Sequence, residues 1–563
     1  MEDGNSATRK RGGVFLTPLP FAEKAAEYLE ETLGTDWTQS GNYRLWDMAA
    51  GTGHLEMFLP KEFLKYCYLS TLQHEDVLHL QEKFPDATVF QYNYLDDDAD
   101  KMPDTLQRDL ANPAIKWIIL VNPPYATAQE AGLKGTSKEG VSDTKIRKQM
   151  HAEGLGEVSR ELYVQFLYRI VHEFRHRETL LGLFSPLKYL ISANYQKFRD
   201  RVFQAEFHSG FVFSSENFGG TSKTSHFPVA FILWNVSAAV CRPPSAVSLD
   251  ILDSAAQKIG TKTIKPVDRN DFLSRWIKRP RGTKIFPPFG SALTIKSSNV
   301  DTRNRIADGF LASLMCPGNE LQNQQQTAFL SGPQASAGAL SVTPENFEQA
   351  VVVFTARRIP KDTWITHVDQ FLRPNRELSP QFVADCAIWS LFDNKNQTVA
   401  LRNVVYQDTV HQIVNHFFPF PIASLCALCE FSANFAVNLL TTEGAKLTQR
   451  TQSELYETID SFVANWLAKQ ELSAEAQAVL EKAREIYQLF FANWNELPRA
   501  EFNIETHDAG WYQIRLALAK AEIGIDLFAE LKDRHDRLKE KILPELYHYG
   551  ILQSEKRETF LTS

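Results

Sequence analysis

The residues best suited to chemistry in this 563-residue chain form one tetrapeptide, Asn122-Pro123-Pro124-Tyr125. It directly follows the apolar run 117–121, which the pattern predicts to be a buried strand. Two consecutive prolines have fixed φ angles and lack N–H donors, so the segment can continue neither a strand ladder nor a helix. It therefore holds a side-chain amide beside an aromatic ring as a rigid polar clamp. A proline-rich turn without a chemical role is the alternative.

A second candidate site is the stretch 47–53, Asp-Met-Ala-Ala-Gly-Thr-Gly, which follows a short strand predicted at 43–46. Gly51 and Gly53 would let the backbone approach a bound adenosine or phosphate closely, and Asp47 could meet an amino group. The third glycine of the dinucleotide fingerprint is absent. The stretch is thus either a nucleoside-cofactor turn or an ordinary strand-to-helix turn.

The elements that must position both motifs alternate along the chain. Strands are predicted at 66–72, 88–92 and 117–121, and helices at 21–33 and 76–84. This alternation predicts an α/β domain with a doubly wound parallel sheet, in which ligands collect at the carboxyl ends of the strands. Both motifs would then face one crevice. No further ligand stands near the acids 96–98 at metal-binding spacing, so a solvated loop is expected there and no metal is predicted.

Three motifs in order resemble the S-adenosylmethionine-dependent DNA adenine methyltransferases. They are Phe15-Leu16-Thr17-Pro18, the stretch 47–53 and Asn122-Pro123-Pro124-Tyr125, in the gamma-type order, which places the recognition domain after the catalytic domain. Looser similarity continues through 161–166, 181–186 and 218–221. The resemblance implies a Rossmann-like methyltransferase domain, a restriction-modification or related defence setting, and S-adenosylmethionine as cofactor.

The resemblance also implies how methyl transfer is catalysed. The Asn122 side-chain oxygen and the Pro123 carbonyl oxygen would accept the two hydrogens of the adenine exocyclic amine, which directs the nitrogen lone pair at the sulfonium methyl. Tyr125 would stack on the base, which must be swung out of the duplex. With Pro124, these residues form the expected catalytic set.

The cofactor residues are carried over position by position. Those expected to contact S-adenosylmethionine are Phe15, Thr17, Pro18, Asp47, Ala49, Gly51, Gly53, Thr71, Asn93 and Tyr94. Two positions depart from the family pattern. Thr71 stands where an acid usually grips the ribose, and Asn93-Tyr94 replaces the usual Asp-Phe/Tyr. Altered contacts, rather than loss of function, are expected there.

Basic side chains in two regions are candidates for contact with duplex DNA, since cations that neutralise phosphates provide affinity. The residues chosen are Lys145, Arg147, Lys148, Lys223, Lys278, Arg279 and Arg281. A similar cluster is Arg357, Arg358, Arg373, Asn375 and Arg376. Solvated charge on mobile loops or on an accessory domain is the alternative reading. The net charge of -8 and pI near 6.0 give no global signature of a nucleic-acid binder, so such binding requires a local basic surface.

Composition shifts divide the chain into three predicted regions. These are a methyltransferase domain at 1–240, a mixed α/β DNA target-recognition region at 241–420 and a helical region at 421–563 with helices at 454–469, 474–494 and 511–547. Six scattered cysteines and an N-terminus without signal-peptide features predict a reducing cytoplasm, in association with the nucleoid. Cys426 and Cys429 are expected to be buried helix residues. Apolar runs are too short for a membrane span.

Other functions use the same motifs. The clamp would also serve RNA adenine or a protein glutamine amide, and a restriction enzyme could carry its nuclease in the same chain or in a partner, beside a specificity subunit. A non-catalytic interaction protein with a related fold is the third alternative.

Overall fold

The computed structural model describes most of the chain. The described residues are 16–126, 144–218, 226–237, 246–282, 286–287, 289, 292–294, 306–332, 338–421, 461–505, 508–553 and 556–557. Phe15, Lys223, Cys426 and Cys429 lie outside them. Contacts divide the chain into two compact units: unit 1 comprises Met1–Asp268, Thr363–Asp369 and Ser554–Ser563, and unit 2 comprises Arg269–Asp362 and Gln370–Gln553.

Unit 1 is built on a sheet whose labelled strands are β1 (Tyr43–Asp47), β2 (Cys67–Thr71), β3 (Thr88–Gln91), β4 (Lys116–Val121), β5 (Thr179–Pro186), β6 (Glu206–Ser214), β7 (Pro228–Asn235), β8 (Val247–Leu252) and β9 (Lys258–Ile264). Their order is β9-β8-β6-β7-β5-β4-β1-β2-β3, and a short strand, Lys556–Arg557, pairs with β9. Strands β3, β2, β1, β4 and β5 are parallel, whereas β7 runs antiparallel between β5 and β6. The predicted doubly wound α/β sheet is confirmed.

Seven helices accompany this sheet in the described part of unit 1. They are α1 (Leu19–Leu33), α2 (His74–Lys83), α3 (Asp104–Ala111), α4 (Lys145–Ala152), α5 (Leu162–Phe174), α6 (Lys188–Ile191) and α7 (Gln196–Arg201). Strand β5 is buried along its whole length, as expected for a parallel strand covered on both faces. Alternate residues of β4 enter two cores: Trp117 and Ile119 pack in one, and Ile118 and Leu120 in the other.

The crevice expected for a ligand follows from the strand order. Chain connections leave β1 in one direction across the sheet and β4 in the other, so the gap outside the carboxyl ends of β1 and β4 is the topological switch point. Asp47 is the last residue of β1, and Asn122 directly follows β4. The fold thus brings the two sequence motifs to the same edge.

The division near residue 240 that composition suggests differs from the division by contacts. Strands β8 and β9 extend the sheet of unit 1, because β8 pairs in parallel with β6. A distant segment, 363–369, also belongs to unit 1. The buried Lys262 Nζ of β9 lies 2.8 Å from Asp369 and donates to the Ile365 backbone oxygen at 2.7 Å.

Unit 2 contains a four-stranded sheet, a two-stranded hairpin and helices. The strands are β10 (Ala312–Met315), β11 (Ala328–Leu330), β12 (Ala339–Val342), β13 (Asn396–Gln397), β14 (Leu401–Tyr406) and β15 (Thr409–Ile413). The helices are α8 (Leu273–Trp276), α9 (Phe347–Arg358), α10 (Pro380–Phe392), α11 (Phe462–Leu467), α12 (Ala474–Ala492), α13 (Trp511–Lys520) and α14 (Ile525–His548). The predicted mixed α/β and helical character is confirmed.

One hydrophobic core runs through unit 2 and includes Phe329 and Ile388 together with Phe490 and Leu538. The segments assigned by composition to a recognition region and to a helical region therefore pack together. The single helix predicted at 511–547 is two helices. The positive φ angles of Glu522 (56°) and Gly524 (78°) interrupt it.

None of the described helices is both long and apolar enough to cross a membrane.

Candidate functional site

The Asn122 amide is held from two sides at the carboxyl end of β4. Its Nδ2 donates a hydrogen bond of 2.9 Å to Thr17 Oγ1, and its Oδ1 accepts one of 2.7 Å from the Tyr125 hydroxyl. Because donor and acceptor sides of the amide have different partners, the direction of the carbonyl oxygen is fixed. Buried Pro123 and half-buried Pro124 connect the two side chains.

Aromatic side chains pack around the Tyr125 ring. Its centroid is 6.4 Å from that of Tyr163 and 6.2 Å from that of Phe218, both edge-on. Burial raises the pKa of the Tyr125 hydroxyl well above its ordinary value of 10, so the group stays protonated and donates to Asn122. Phe218 itself is buried and packs in the hydrophobic core.

Thr17 connects the clamp to the glycine turn. It is buried next to Pro18, which caps α1. The backbone oxygen of Thr17 lies 2.7 Å from His54 Nδ1, so this ring nitrogen donates. His54 directly follows Gly53, and the sequence pattern does not single it out. The turn after β1 and the clamp after β4 thus meet at one residue.

The turn after β1 has a left-handed backbone conformation at its two glycines. Gly51 and Gly53 have φ angles of 56° and 71°, and a Cβ at Gly53 would lie 2.4 Å from the Phe84 ring. From α2, Lys83 Nζ donates to the backbone oxygens of Thr52 (3.0 Å) and Gly53 (3.2 Å). Lys83 therefore fixes the backbone of this turn, which begins at half-buried Ala49.

Two buried acids lie beneath this turn. Asp47 and Glu56 are each 1% exposed. Asp47 Oδ1 accepts a 2.7 Å hydrogen bond from the Ala49 backbone N–H, whereas neither Glu56 oxygen has a hydrogen bond of standard geometry. Burial is the main cause that raises the pKa of Glu56 to about 7, and burial followed by the Glu56 charge raises the pKa of Asp47 well above 3.8. Nothing in the local sequence marks Glu56 as different from a surface acid between apolar residues.

Three other predicted cofactor residues have well-defined surroundings. Thr71 is buried at the end of β2, where its backbone oxygen accepts from Tyr92 N–H. The Asn93 amide closes its own turn by accepting from Leu95 N–H at 3.1 Å and donating to Asp96 at 3.1 Å.

Tyr94 differs from the expectation that it flanks a ligand. It is 2% exposed, its hydroxyl donates to Glu173 at 2.8 Å, and the Arg169 guanidinium lies 4.5 Å from its ring centroid. This side chain packs in the hydrophobic core of unit 1, where its hydroxyl reaches Glu173 of α5.

The basic residues predicted to contact DNA fall into two groups. Lys145, Arg147 and Lys148 lie on α4 of unit 1, with Lys145 Nζ 2.6 Å from Asp98. In unit 2, Lys278 pairs with Glu345 at 2.8 Å.

Arg279 and Arg281 are exposed and line a cavity of about 160 Å³ beside the edge strand β12. The backbone next to them is fixed, since Asn346 donates to the Lys278 backbone oxygen at 2.9 Å.

Arg357 does not belong to a basic surface, contrary to the prediction. It is 1% exposed and donates to Thr327 Oγ1 and to the backbone oxygens of Pro317 and Gly318. Arg358 bonds to Asp393, so these cations hold unit 2 together. Within the described ranges, no group of three or more His, Cys, Asp or Glu side chains is placed to hold a metal ion.

Comparisons with known proteins give a limited picture. No family model and no curated protein matches the chain. Among solved structures, DrdV in complex with DNA is 15% identical over 57% of this chain and 36% of that chain, with a TM-score of 0.35. A modification subunit of a putative type I restriction enzyme from Vibrio vulnificus YJ016 is 14% identical over 49% and 60% of the two chains, with a TM-score of 0.29. A putative RNA methyltransferase from Pyrococcus horikoshii is 14% identical over 39% and 85%, with a TM-score of 0.23.

These similarities are distant, and the chain spans little more than a third of the first structure and 60% of the second.

Proposed function

We propose that the chain transfers a methyl group from S-adenosylmethionine to the exocyclic amine of an adenine flipped out of duplex DNA. The observation that carries this proposal is the Asn122 amide, fixed by Thr17 at the switch point beside the glycine turn of β1. Methyl transfer to a planar amine requires a rigid hydrogen-bond acceptor next to the cofactor site, and Asn122 lies next to the glycine turn.

The clamp residues would act on the amine without an acid or base of special pKa; as the N–C bond forms and the S–C bond breaks, S-adenosylhomocysteine would leave and the methylated amine would lose one proton to solvent. Asn122 Oδ1 and the Pro123 carbonyl oxygen accept its two hydrogens, which concentrates the lone pair on nitrogen. In the present arrangement the Tyr125 hydroxyl occupies Asn122 Oδ1. Because an amide oxygen has two lone pairs, an amine hydrogen would either bind the second one or replace this hydroxyl, and the ring would stack on the base.

The residues at the turn fit the cofactor. Positive φ angles at Gly51 and Gly53 open the backbone, and Thr52 Oγ1 is buried without a hydrogen-bond partner in the same turn as the two buried acids Asp47 and Glu56. Buried polar groups that lack such partners favour a polar ligand. The residues that would hold S-adenosylmethionine are Thr17, Pro18, Asp47, Ala49, Gly51, Gly53, Thr71 and Asn93. When bound, the cofactor supplies an electrophilic methyl group on sulfur.

Basic side chains in each unit are candidates for contact with DNA. Exposed Arg279 and Arg281 beside the β12 cavity suit backbone phosphate, since guanidinium groups match its geometry. Lys278 and the α4 group Lys145, Arg147 and Lys148 would add charge, together with Lys223. Unit 2 would supply sequence recognition, in a restriction-modification setting with a partner nuclease or specificity subunit.

Tritiated-methyl transfer from S-adenosylmethionine to DNA, RNA and protein tests the proposal. The label should enter DNA as methyladenine. Asn122→Ala should lower the rate at least about 100-fold, because a preorganised transition-state contact is lost. Asn112→Ala, which changes an exposed asparagine at the end of α3, is the matched control and should leave the rate unchanged. Labelling of only RNA or only protein would contradict the proposal.

A further inference from the structure

The two acids beneath the glycine turn are unusual in their surroundings. Asp47 and Glu56 are 1% exposed, and neither oxygen of Glu56 has a hydrogen bond of standard geometry, its one near side-chain partner being the other acid, Asp47. A buried carboxylate is normally paired or hydrogen-bonded, since desolvation disfavours its charge. A third orphaned atom, Thr52 Oγ1, is buried in the same turn. Such buried polar groups are typical of a ligand-binding site.

Charged and titratable groups around the pair come from two elements, α2 and β2. Lys83 on α2 is the cation that acts on Glu56, yet its ammonium group donates to the Thr52 and Gly53 backbone oxygens. On β2, the buried Cys67 thiol has a pKa raised by burial and by the Glu56 charge, so it stays neutral. Two negative charges are thus not matched by two positive ones, and this imbalance favours a proton on the pair.

We propose that Asp47 and Glu56 form a proton-exchanging counter-ion for the cationic part of S-adenosylmethionine. The pair holds one proton in the free protein and releases it to solvent when the positive charge of the cofactor arrives. No bond other than the carboxyl O–H is broken, and the resulting dianion is balanced by the bound cation. This inference rests on the proposed function, since it presumes that this cofactor occupies the turn.

The chemistry of three related ligands identifies the cation concerned. S-adenosylmethionine carries an ammonium and a sulfonium group, S-adenosylhomocysteine carries only the ammonium group, and methylthioadenosine carries neither. Proton release on binding should therefore be largest for S-adenosylmethionine, smaller for S-adenosylhomocysteine and absent for methylthioadenosine. Methylthioadenosine should bind without proton release.

Isothermal titration of the full chain in buffers of different ionisation enthalpy counts the protons. At pH near 7, binding of S-adenosylmethionine should release roughly half a proton or more, because the pair is then partly protonated. Its affinity should rise between about pH 6 and about pH 8. Glu56→Gln should abolish the release and weaken S-adenosylmethionine about tenfold while methylthioadenosine is unaffected. The control is Glu62→Gln, which changes a nearby exposed acid.

The wild-type proton count decides the inference even where the Glu56 variant is unstable. Binding of S-adenosylmethionine without net proton exchange over this pH range would overturn it, as would undiminished release in folded Glu56→Gln. If the chain methylates DNA but binds S-adenosylmethionine without proton exchange, this inference alone fails. Proton-linked binding without transfer to DNA, RNA or protein removes the proposed function alone, and absence of binding removes both.

Discussion

Thr17 Oγ1 accepts the hydrogen bond that Asn122 donates through Nδ2, at 2.9 Å, although 105 residues separate them. An amide that is bound through its nitrogen must direct its oxygen to the opposite side. Thr17 therefore orients the acceptor on which the clamp depends, in addition to the cofactor contact that sequence resemblance gives it. Through its backbone oxygen it also bonds to His54 of the glycine turn.

Replacement of Thr17 by valine keeps the shape of the side chain and removes this hydrogen bond. We expect kcat for methyl transfer to fall about tenfold, the effect of one hydrogen bond, because the Asn122 amide loses one of the contacts that direct its oxygen. Thr17→Ser should retain nearly full activity. The affinity for S-adenosylmethionine, measured by titration, should fall less than kcat, because valine keeps the shape of the proposed cofactor contact. Weaker cofactor binding with unchanged kcat would show that Thr17 contacts only the cofactor.

Tyr125 combines a ring and a hydroxyl that have separate effects. Tyr125→Phe removes the 2.7 Å bond to Asn122 Oδ1 and leaves the ring, so methylation should continue at or above the wild-type rate. Tyr125→Ala should raise the apparent KM for DNA and slow transfer, since base stacking contributes about 1–3 kcal/mol. Fluorescence of 2-aminopurine at the target position reports base flipping. Equal loss in both variants would assign the essential role to the hydroxyl.

Stability of the cofactor-free protein should depend on pH through Glu56. The folded protein binds a proton at Glu56 up to its raised pKa of about 7, whereas an unfolded glutamate releases it near 4.5. The stabilisation is therefore complete below about pH 4.5 and is lost as pH rises through 7, by on the order of 3 kcal/mol. Urea unfolding of the wild type and Glu56→Gln tests this. The variant should show a flatter profile and higher stability near pH 8, and parallel profiles would contradict the assignment.

Arg279 and Arg281 are expected to bind phosphate rather than bases. The double change to alanine should weaken binding similarly for all duplex sequences and reduce the slope of log affinity against log salt by about 1.8, or 0.9 per phosphate. Lys532→Ala, an exposed charge on α14, is the control. Fluorescence anisotropy at several salt concentrations measures the slope. An unchanged slope would place the DNA elsewhere.

Local patterns predict the centre of unit 1 well. The bounds of β1 to β4 agree with the prediction to within one residue, because these strands are apolar runs limited by turn residues. Strands β8 and β9 are not foreseen, since their place depends on pairing with β6 from far along the chain. The break between α13 and α14 is also missed, because the apolar spacing continues across it while Glu522 and Gly524 adopt positive φ angles.

At the candidate site, motif spacing predicts which residues stand at the switch point and not how their side chains pair. Asn122 and Thr17 are both foreseen, yet their mutual bond requires the fold. Tyr94 and Arg357 are misassigned because sequence alone does not distinguish an exposed polar side chain from one buried with its own partners. Glu56 is missed for the opposite reason, since its burial comes from tertiary packing.

The ion pair between Lys262 and Asp369 limits how unit 1 can be exchanged between proteins during evolution. Unit 1 is assembled from three separate stretches of sequence, and Lys262 finds its buried partner in the second. A chain cut at residue 268 would lack both the partner of that ammonium group and Ile365, which is buried in the core of unit 1. A single recombination joint therefore cannot transplant unit 1 intact. New specificity would more readily arise by point substitution or by exchange of short internal segments.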